Sequence, residues 1–313
     1  MESIFTLGFL SEMLLSTVRM ATPLLLVALA ELYSERAGLV NIGLDGIMAF
    51  GALAGFMTCY ITGDPALGIL AGALGGVMIN MIYAYCTITL CAEQIVYGMA
   101  INIFAPAVAS FIYRAYFGVS STLAQASLMK TVAIPVLKDI PVVGQLLFDQ
   151  TPMVYLAYLL VPLTALFFNR TKAGLNYKAV GEFPKAAETL GINVVRQKYV
   201  ASVICGLLAG IGGAYLTTCY VNTYSDGIVA GRGFIALSAV IFGHWTSSGV
   251  LLACLLFGFC DALQLRLQII SVTTPYQLFQ MVPYVFTLVA LAMMGAKKAG
   301  PKAKGKPYRR EER

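Results

Sequence analysis

Apolar residues along this chain run on in long blocks, such as PLLLVALA, GILAGALGGVMI and YLAYLLVPLTALFF, with short polar stretches between them. A strand would alternate apolar and polar positions, and a helix on a water-facing surface would show an apolar stripe; these blocks are apolar all round. Read by hydropathy, they predict spans near 14–33, 44–61, 66–90, 94–115, 151–169, 198–222, 232–247, 248–270 and 276–295. The span near 232–247 is short and rich in small residues, and the first is followed by a glycine-punctuated polar stretch. Some of these elements are therefore half-helices or re-entrant segments, and eight to ten crossings are expected. Lipid offers no partner to an unpaired N–H or C=O, so continuous apolar spans must be helical. A β-barrel would need short segments of alternating polarity. The pattern predicts an all-α polytopic membrane protein with one transmembrane domain over 1–296 and a disordered basic tail over 297–313.

Composition agrees, with 59% hydrophobic and 12% charged residues and a mean hydropathy of +0.79, too apolar for an ordinary water-facing surface. Glu2 and Glu12 stand where a signal peptide would carry basic residues, so insertion is expected to rely on the first span. The net charge of +6 is unevenly spread. Arg170, Lys172, Lys178, Lys185, Arg196 and Lys198 crowd one loop, and eight more lysines and arginines follow Ala296. By the positive-inside rule both regions are cytoplasmic. The connection from Tyr116 to Gln150 carries only Lys130 and Lys138 against Asp139 and Asp149, which suits the external face. The basic residues thus report topology and contact with anionic lipid, and no nucleic-acid partner is needed.

One polar interruption, YKAVGEFPKAAETLGINVVRQKYV over 177–200, has the punctuation of a short helix. Pro184 suits a first helical position and Gly191 a left-handed stop, leaving about two turns, too few to cross a bilayer. Held on the membrane surface, with Lys185 and Glu188 pointing outward, it suits contact with a soluble partner; an ordinary loop helix is the alternative.

Ionisable residues within apolar stretches are costly in hydrocarbon and point to function. In ALAELYSERAGLVNIGLDGIMAFG, Glu31 and Glu35 share a helix face, which costs energy unless Arg36 or water relieves them. Gly38, Gly43 and Gly46 permit a sharp turn or close helix approach, and Asn41 and Asp45 could present polar groups there, as in a transporter's broken helices. A solvated turn between two spans is the plain alternative. A second group, SDGIVAGRGFIALSAVIFGHWTSSG, has Asp226 and Arg232 around a glycine-rich break. Ala37, Gly38, Ile42 and Leu44 align without gaps with Ala230, Gly231, Ile235 and Leu237, a faint internal similarity. Arg232, a cation at a helix start, needs a carboxylate or carbonyls nearby. Asp261 and Arg266 are spaced poorly for a helical pair, His244 beside Trp245 suits an interfacial anchor, and Gly72, Gly75, Gly76, Gly206, Gly210, Gly212 and Gly213 suit close helix packing.

The seven cysteines form no CxxC pair and the sole histidine is His244, so reduced buried thiols are expected and neither a metal site nor a catalytic constellation is found. An intramembrane lipid-modifying enzyme would show clustered acids, which the dispersed carboxylates do not. No GxxxxGK[ST] occurs, so ATP hydrolysis by this chain is not expected. A carrier driven by an ion gradient needs no docking helix, whereas a permease driven by a separate ATPase does.

Taken together, ERAGLVNIGLDGIMAFGA, AVGEFPKAAETLGI, and GRGFIALSAVIFGHW followed by LLFGFCDALQLRLQ and PYQLFQMVPYVFTLVAL resemble the permease subunit of bacterial nucleoside ABC importers, within the simple-sugar and branched-chain amino acid permease family. The resemblance runs from about Thr17 to Ala296. It implies a two-permease core, usually of two different chains, in the bacterial cell membrane, with ATPase subunits that hold ATP and Mg and an external substrate-binding protein. This chain would bind no cofactor of its own. The family's coupling helix, in a loop of about 176–197, falls on Gly181, Glu182, Pro184, Lys185, Ala186, Ala187, Glu188 and Gly191. Glu31, Asn41, Asp45, Asn102, Arg232 and Phe234 are the candidates for the translocation path, Asn41, Asn102 and Phe234 as amide and aromatic partners for a neutral nucleoside. Sugars, autoinducers or branched-chain amino acids are the alternative substrates. The sequence departs from the family pattern at HWTSSG over 244–249, often W-N-P-x-G, and at Asp45, often glutamate.

Overall fold

The computed structural model describes residues 7–118, 124–133, 148–270, 281, 285 and 300–309. Its elements are α1 (Leu7–Arg36), α2 (Leu44–Thr62), α3 (Pro65–Ala84), α4 (Gln94–Phe117), the two-residue strands β1 (Val132–Ala133) and β2 (Asp149–Gln150), α5 (Pro152–Arg170), α6 (Lys172–Glu182), α7 (Pro184–Thr189), α8 (Val194–Tyr215), α9 (Arg232–Phe242) and α10 (Ser247–Ile270). Short π-helical turns, Tyr85–Thr89 and Leu216–Tyr220, extend α3 and α8. Among the described residues seven helices are long and apolar enough to span a membrane, and α9, at 11 residues, is not. The protein is an all-α polytopic membrane protein, and eight of the nine spans expected from hydropathy coincide with helices. The ninth, 276–295, lies outside the described residues apart from 281 and 285.

Local chemistry sets the joints. Between α2 and α3, Gly63 takes the left-handed φ of +73° that closes a helix. Asp64 then accepts from Ala66 N at 2.9 Å, and Pro65 opens α3. Gly63, Asp64 and Pro65 complete the turn because each supplies what a helix end lacks. β1 and β2 pair antiparallel, tying the middle of the long connection between α4 and α5 to its C-terminal end.

Helices α1, α2 and α8 form the middle of the bundle, with α3 across α2 and α8, and α10 along α1. Helices α4, α5 and α10 turn broad apolar faces outward, with Ile103, Phe111 and Leu252 among the exposed side chains, as suits contact with lipid. Close approach comes from glycine. A Cβ on Gly76 would lie 2.2 Å from Gly206 O, and one on Gly213 would lie 2.0 Å from Met48 O. Gly210 likewise faces backbone, Gly72 and Gly206 face both backbone and the Cβ atoms of Ala214 and Asn80, and Gly75 and Gly212 face chiefly the side chains of Ala54, Phe50 and Val27.

The ends of α1 and α9, the helices α6 and α7, and the starts of α8 and α10 share one face of the bundle. The far end is marked by ion pairs Arg266–Glu12 at 2.9 Å and Arg114–Asp226 at 2.6 Å. The Arg114 hydrogen bond holds the Asp226 carboxyl below the usual carboxylate range. Residues 300–309, within the basic tail, lie on the face of α6 and α7, where Ala303 N donates to Gly181 O at 3.0 Å and Gly305 N to Gly38 O at 3.3 Å. Backbone partners and a buried acid hold the segment in place.

Candidate functional site

After α1 the chain turns at Gly38, whose φ is +81°, and re-enters the bundle, so that Leu39 and Asn41 are wholly buried before α2 begins at Leu44. This break strips residues 40–46 of helical partners, and side chains replace them. Gln94 Oε1 accepts from Val40 N at 2.7 Å and Tyr83 OH donates to Val40 O at 2.6 Å. Glu31 Oε1 accepts from Asn41 N at 3.0 Å, and Asn41 Oδ1 from Gly43 N at 3.0 Å. Asn102 serves two groups, donating to Ile42 O at 2.7 Å and accepting from Gly46 N at 2.8 Å. Asn80 extends the network, accepting from Asn41 Nδ2 at 2.8 Å and donating to Ser202 O on α8 at 2.5 Å.

The second break mirrors the first. Gly231 is left-handed with φ +77°, as is Gly38, the residue it aligns with in the internal similarity. Arg232 then starts α9 and donates to the carbonyls of Ile228 (3.2 Å) and Val229 (3.1 Å), the carbonyl partners its position calls for. The two breaks meet: Gly233 N donates to Asp45 Oδ1 at 3.0 Å, and a Cβ on Gly233 would lie 2.4 Å from Asp45 N. Asp45 thus places a carboxylate at the positive ends of α2 and α9 together.

The six candidate path residues divide. Asp45, Asn102 and Arg232 are half-buried around this meeting point and Phe234 is exposed beside it. Glu31 and Asn41 are fully buried within the scaffold that holds the first break. Asn80, Tyr83 and Gln94 were not singled out from sequence, although a lone asparagine inside the apolar run 68–84 is the kind of signal that marks such a network. Replacing Asn102 by alanine is expected to cost about 1–3 kcal/mol, since two backbone groups lose their partner. Asn102→Asp, which keeps the acceptor for Gly46 N but sets a carboxylate oxygen against Ile42 O in place of the donor, should cost at least as much. Thermal unfolding of the two variants in detergent checks this.

On the shared face, α7 starts at Pro184 and Gly191 follows with φ +82°, as the punctuation predicts. α6 precedes it, and Tyr177 OH donates to Tyr33 O at 3.0 Å, docking α6 against α1. A Cβ on Gly181 would lie 2.2 Å from Arg36 O, so this glycine brings the short helices against the end of α1. Lys185 and Ala186 are exposed, Ala187 packs with Val180 and Val194, and Phe183 and Leu190 stand out from the surface. Glu182 is half-buried. Glu188 does not point outward as expected but is half-buried and accepts from Tyr308 OH. Burial, with Arg36 nearby, holds the Lys178 ammonium below the usual lysine range.

Two further expectations are corrected here. Arg36 does not relieve Glu35: its Nε donates to Trp245 O at 3.1 Å, while Lys304 Nζ lies 2.7 Å from Glu35 Oε1. Trp245 is no interfacial anchor either, because its buried indole N–H donates to Glu35 Oε2, the partner a buried indole requires. Arg266, spaced poorly from Asp261, pairs with Glu12.

A relative from Lactococcus lactis subsp. cremoris (strain MG1363), the nucleoside ABC transporter permease protein NupC, is 36% identical over 300 residues, covering 92% of this chain and 93% of that one. The guanosine ABC transporter permease protein NupQ of Bacillus subtilis (strain 168) is 35% identical over 310 residues, 96% of this chain and 97% of that one. A putative glucose ABC transporter permease protein of Haloferax volcanii, TsgC13, is 36% identical over 269 residues, 85% and 80% of the two chains. No solved structure matches. The family described as branched-chain amino acid transport system / permease component matches residues 13–294, which include both breaks and the helices α6 and α7, and the chain belongs to it.

Proposed function

We propose that this permease is the membrane-spanning subunit of an ATP-driven importer of nucleosides in the bacterial cell membrane. The observation that carries this reading is the likeness to NupC and NupQ at 35–36% identity across more than nine-tenths of each chain. A separate ATPase subunit would dock on α6 and α7 and hold ATP and Mg, supplying the energy. A second, different permease chain would complete the path, and an external binding protein would deliver substrate. The basic residues favour a cytoplasmic position for the α6–α7 face and the tail, since Arg170, Lys172, Lys178, Lys185, Arg196, Lys198, Lys302, Lys304 and Lys306 all belong to it.

Closure of the ATPase would displace α7. Gly181, packed on Arg36, would pass the movement to the first break, and Arg36, bonded to Trp245 O, would pass it to α9. Both breaks end at the Asp45–Gly233 contact, so a shift there would open the path to one side at a time. A nucleoside is neutral, with a hydroxylated ring and an aromatic base; Asn102 and Phe234, beside that contact, are the partners such a solute needs.

TsgC13 favours a second reading, import of a simple sugar. Uptake of labelled guanosine, uridine and glucose by cells expressing the chain with its partner subunits separates the two. Nucleoside uptake abolished by an inactive ATPase subunit is the expected result, whereas glucose uptake alone would leave the architecture and overturn the substrate.

A further inference from the structure

Residues 300–309 occupy a position that docking of an ATPase on α7 does not by itself explain. Their backbone is bonded to Gly38 in the first break and to Gly181 at the end of α6, and Lys302 N donates to Glu182 Oε2 at 3.4 Å. Their side chains reach in two directions. Toward α7, Tyr308 OH donates to the Glu188 carboxylate and Lys302 Nζ lies 4.8 Å over the Phe183 ring. Toward the corner between α9 and α10, Lys304 Nζ lies 2.7 Å from Glu35 Oε1 and 5.1 Å over the Trp245 ring. Gly300 packs so closely on that indole that a Cβ would come within 2.6 Å of it.

Lys304 is held there by charge. Glu35 has no exposed surface, and a buried carboxylate needs a charged or hydrogen-bonding partner. The neighbouring guanidinium of Arg36 is turned to Trp245 O, so the cation comes from the far end of the chain. The same ammonium meets the indole face, an attraction that strengthens out of water. One residue therefore fixes the tail to the end of α1 and to the residue that closes α9.

We propose that residues 300–309 are a strap linking α7 to α9, with Lys304 as the positioning residue that pins it; the coupling role rests on the importer reading above. α9 starts at the Asp45 contact and leads directly into Trp245. Motion of α7 then reaches α9 by two routes, through Gly181 against Arg36 and through the strap from Glu188 and Glu182 to Trp245. Without the second, α7 moves while the α9–α10 corner lags, and ATP is hydrolysed with little substrate moved.

Two readouts test this with the full chain. Limited trypsin digestion of the purified permease needs no transport: slow cleavage after Lys302 in the wild type, at least tenfold faster in Lys304→Met, is expected. Cleavage of the wild type at the rate of a free peptide would overturn the strap, whatever the protein transports. In proteoliposomes holding the complete complex, nucleoside moved per ATP hydrolysed should fall about tenfold in Lys304→Met with basal hydrolysis retained, and Lys304→Arg should recover most of it. The neutral pair Glu35→Gln with Lys304→Met guards against misfolding: it removes the unpaired buried charge, so complex yield should return while coupling stays low. A wild-type ratio in Lys304→Met, or a loss of uptake matched by loss of complex, would overturn the coupling role. A wild-type complex that moves no nucleoside would overturn the importer reading and the coupling role with it, while the trypsin result still decides whether the strap is docked.

Discussion

Gly76→Ala is expected to remove most of the folded protein, while Gly75→Ala, one position earlier in the same helix, leaves yield near that of the wild type. The contrast follows from what each new methyl group meets. On Gly76 it would sit 2.2 Å from Gly206 O, 2.6 Å from Gly210 Cα and 2.8 Å from Gly210 N, all backbone of α8 that cannot rotate away. On Gly75 it meets side chains only, Ala54 Cβ at 3.1 Å and the Phe50 ring at 3.3 Å. To accept alanine at 76, α3 and α8 must separate by about an ångström, and gaps of 0.5–1 Å forfeit about a quarter to a half of each dispersion contact. Within a membrane that loss is not offset by hydrophobic burial, since lipid is as apolar as the helix it would cover. Overpacking costs about 1–3 kcal/mol at ordinary core sites and more where backbone meets backbone, against a total stability of about 5–15 kcal/mol. At Gly75 the better helix propensity of alanine, about 0.8–1 kcal/mol, offsets a mild crowding. Monodisperse yield in detergent and the unfolding midpoint of the two variants check the prediction. Equal behaviour would mean that α3 and α8 are not packed through Gly76.

The same pair shows what could be read from sequence. Both glycines lie in one apolar run, and a helix apolar on every side carries no stripe to tell which face meets protein. Span positions were legible because hydropathy and capping are local: Pro184 and Gly191 bracket α7, and the ends of α2 and α3 fall within a few residues of expectation. The breaks were legible because glycine clusters beside ionisable residues are unusual in apolar sequence. Which partner each polar group takes was not. Asn41 finds Asn80 across 39 residues, Trp245 finds Glu35 across 210, and Lys304 reaches back to Glu35 from the tail. Arg36, next in sequence to Glu35, was the natural guess for its counter-charge. The fold instead directs the guanidinium to a carbonyl and supplies a lysine whose own surroundings, all lysine, glycine, alanine and proline, carry no sign of burial.

Asp45→Ala is expected to reduce the initial rate of substrate uptake at least tenfold while the permease still folds. The Asp45 carboxylate accepts from Gly233 N at 3.0 Å, a bond between elements 188 residues apart. A hydrogen bond to a charged group contributes about 1.5–3 kcal/mol, and a negative charge at a helix start about 0.3–1 kcal/mol. Were the bond kept throughout the transport cycle, its loss would lower stability alone. It lies where two broken helices abut, with the backbone of Asp45 itself against Gly233, so a relative movement of α2 and α9 must lengthen or break it. Its energy then enters one side of the conformational equilibrium, and each 1.4 kcal/mol shifts that equilibrium about tenfold. Asp45→Asn, with an acceptor but no charge, should fall between alanine and the wild type. Asp45→Glu keeps the charge on a side chain one methylene longer and should retain most of the uptake. Uptake per assembled complex in the three variants separates the cases. Equal rates in Asp45→Ala and the wild type would show that the two breaks move independently and that the contact serves packing alone, whereas a graded series places Asp45 at the point where motion of the two breaks is joined.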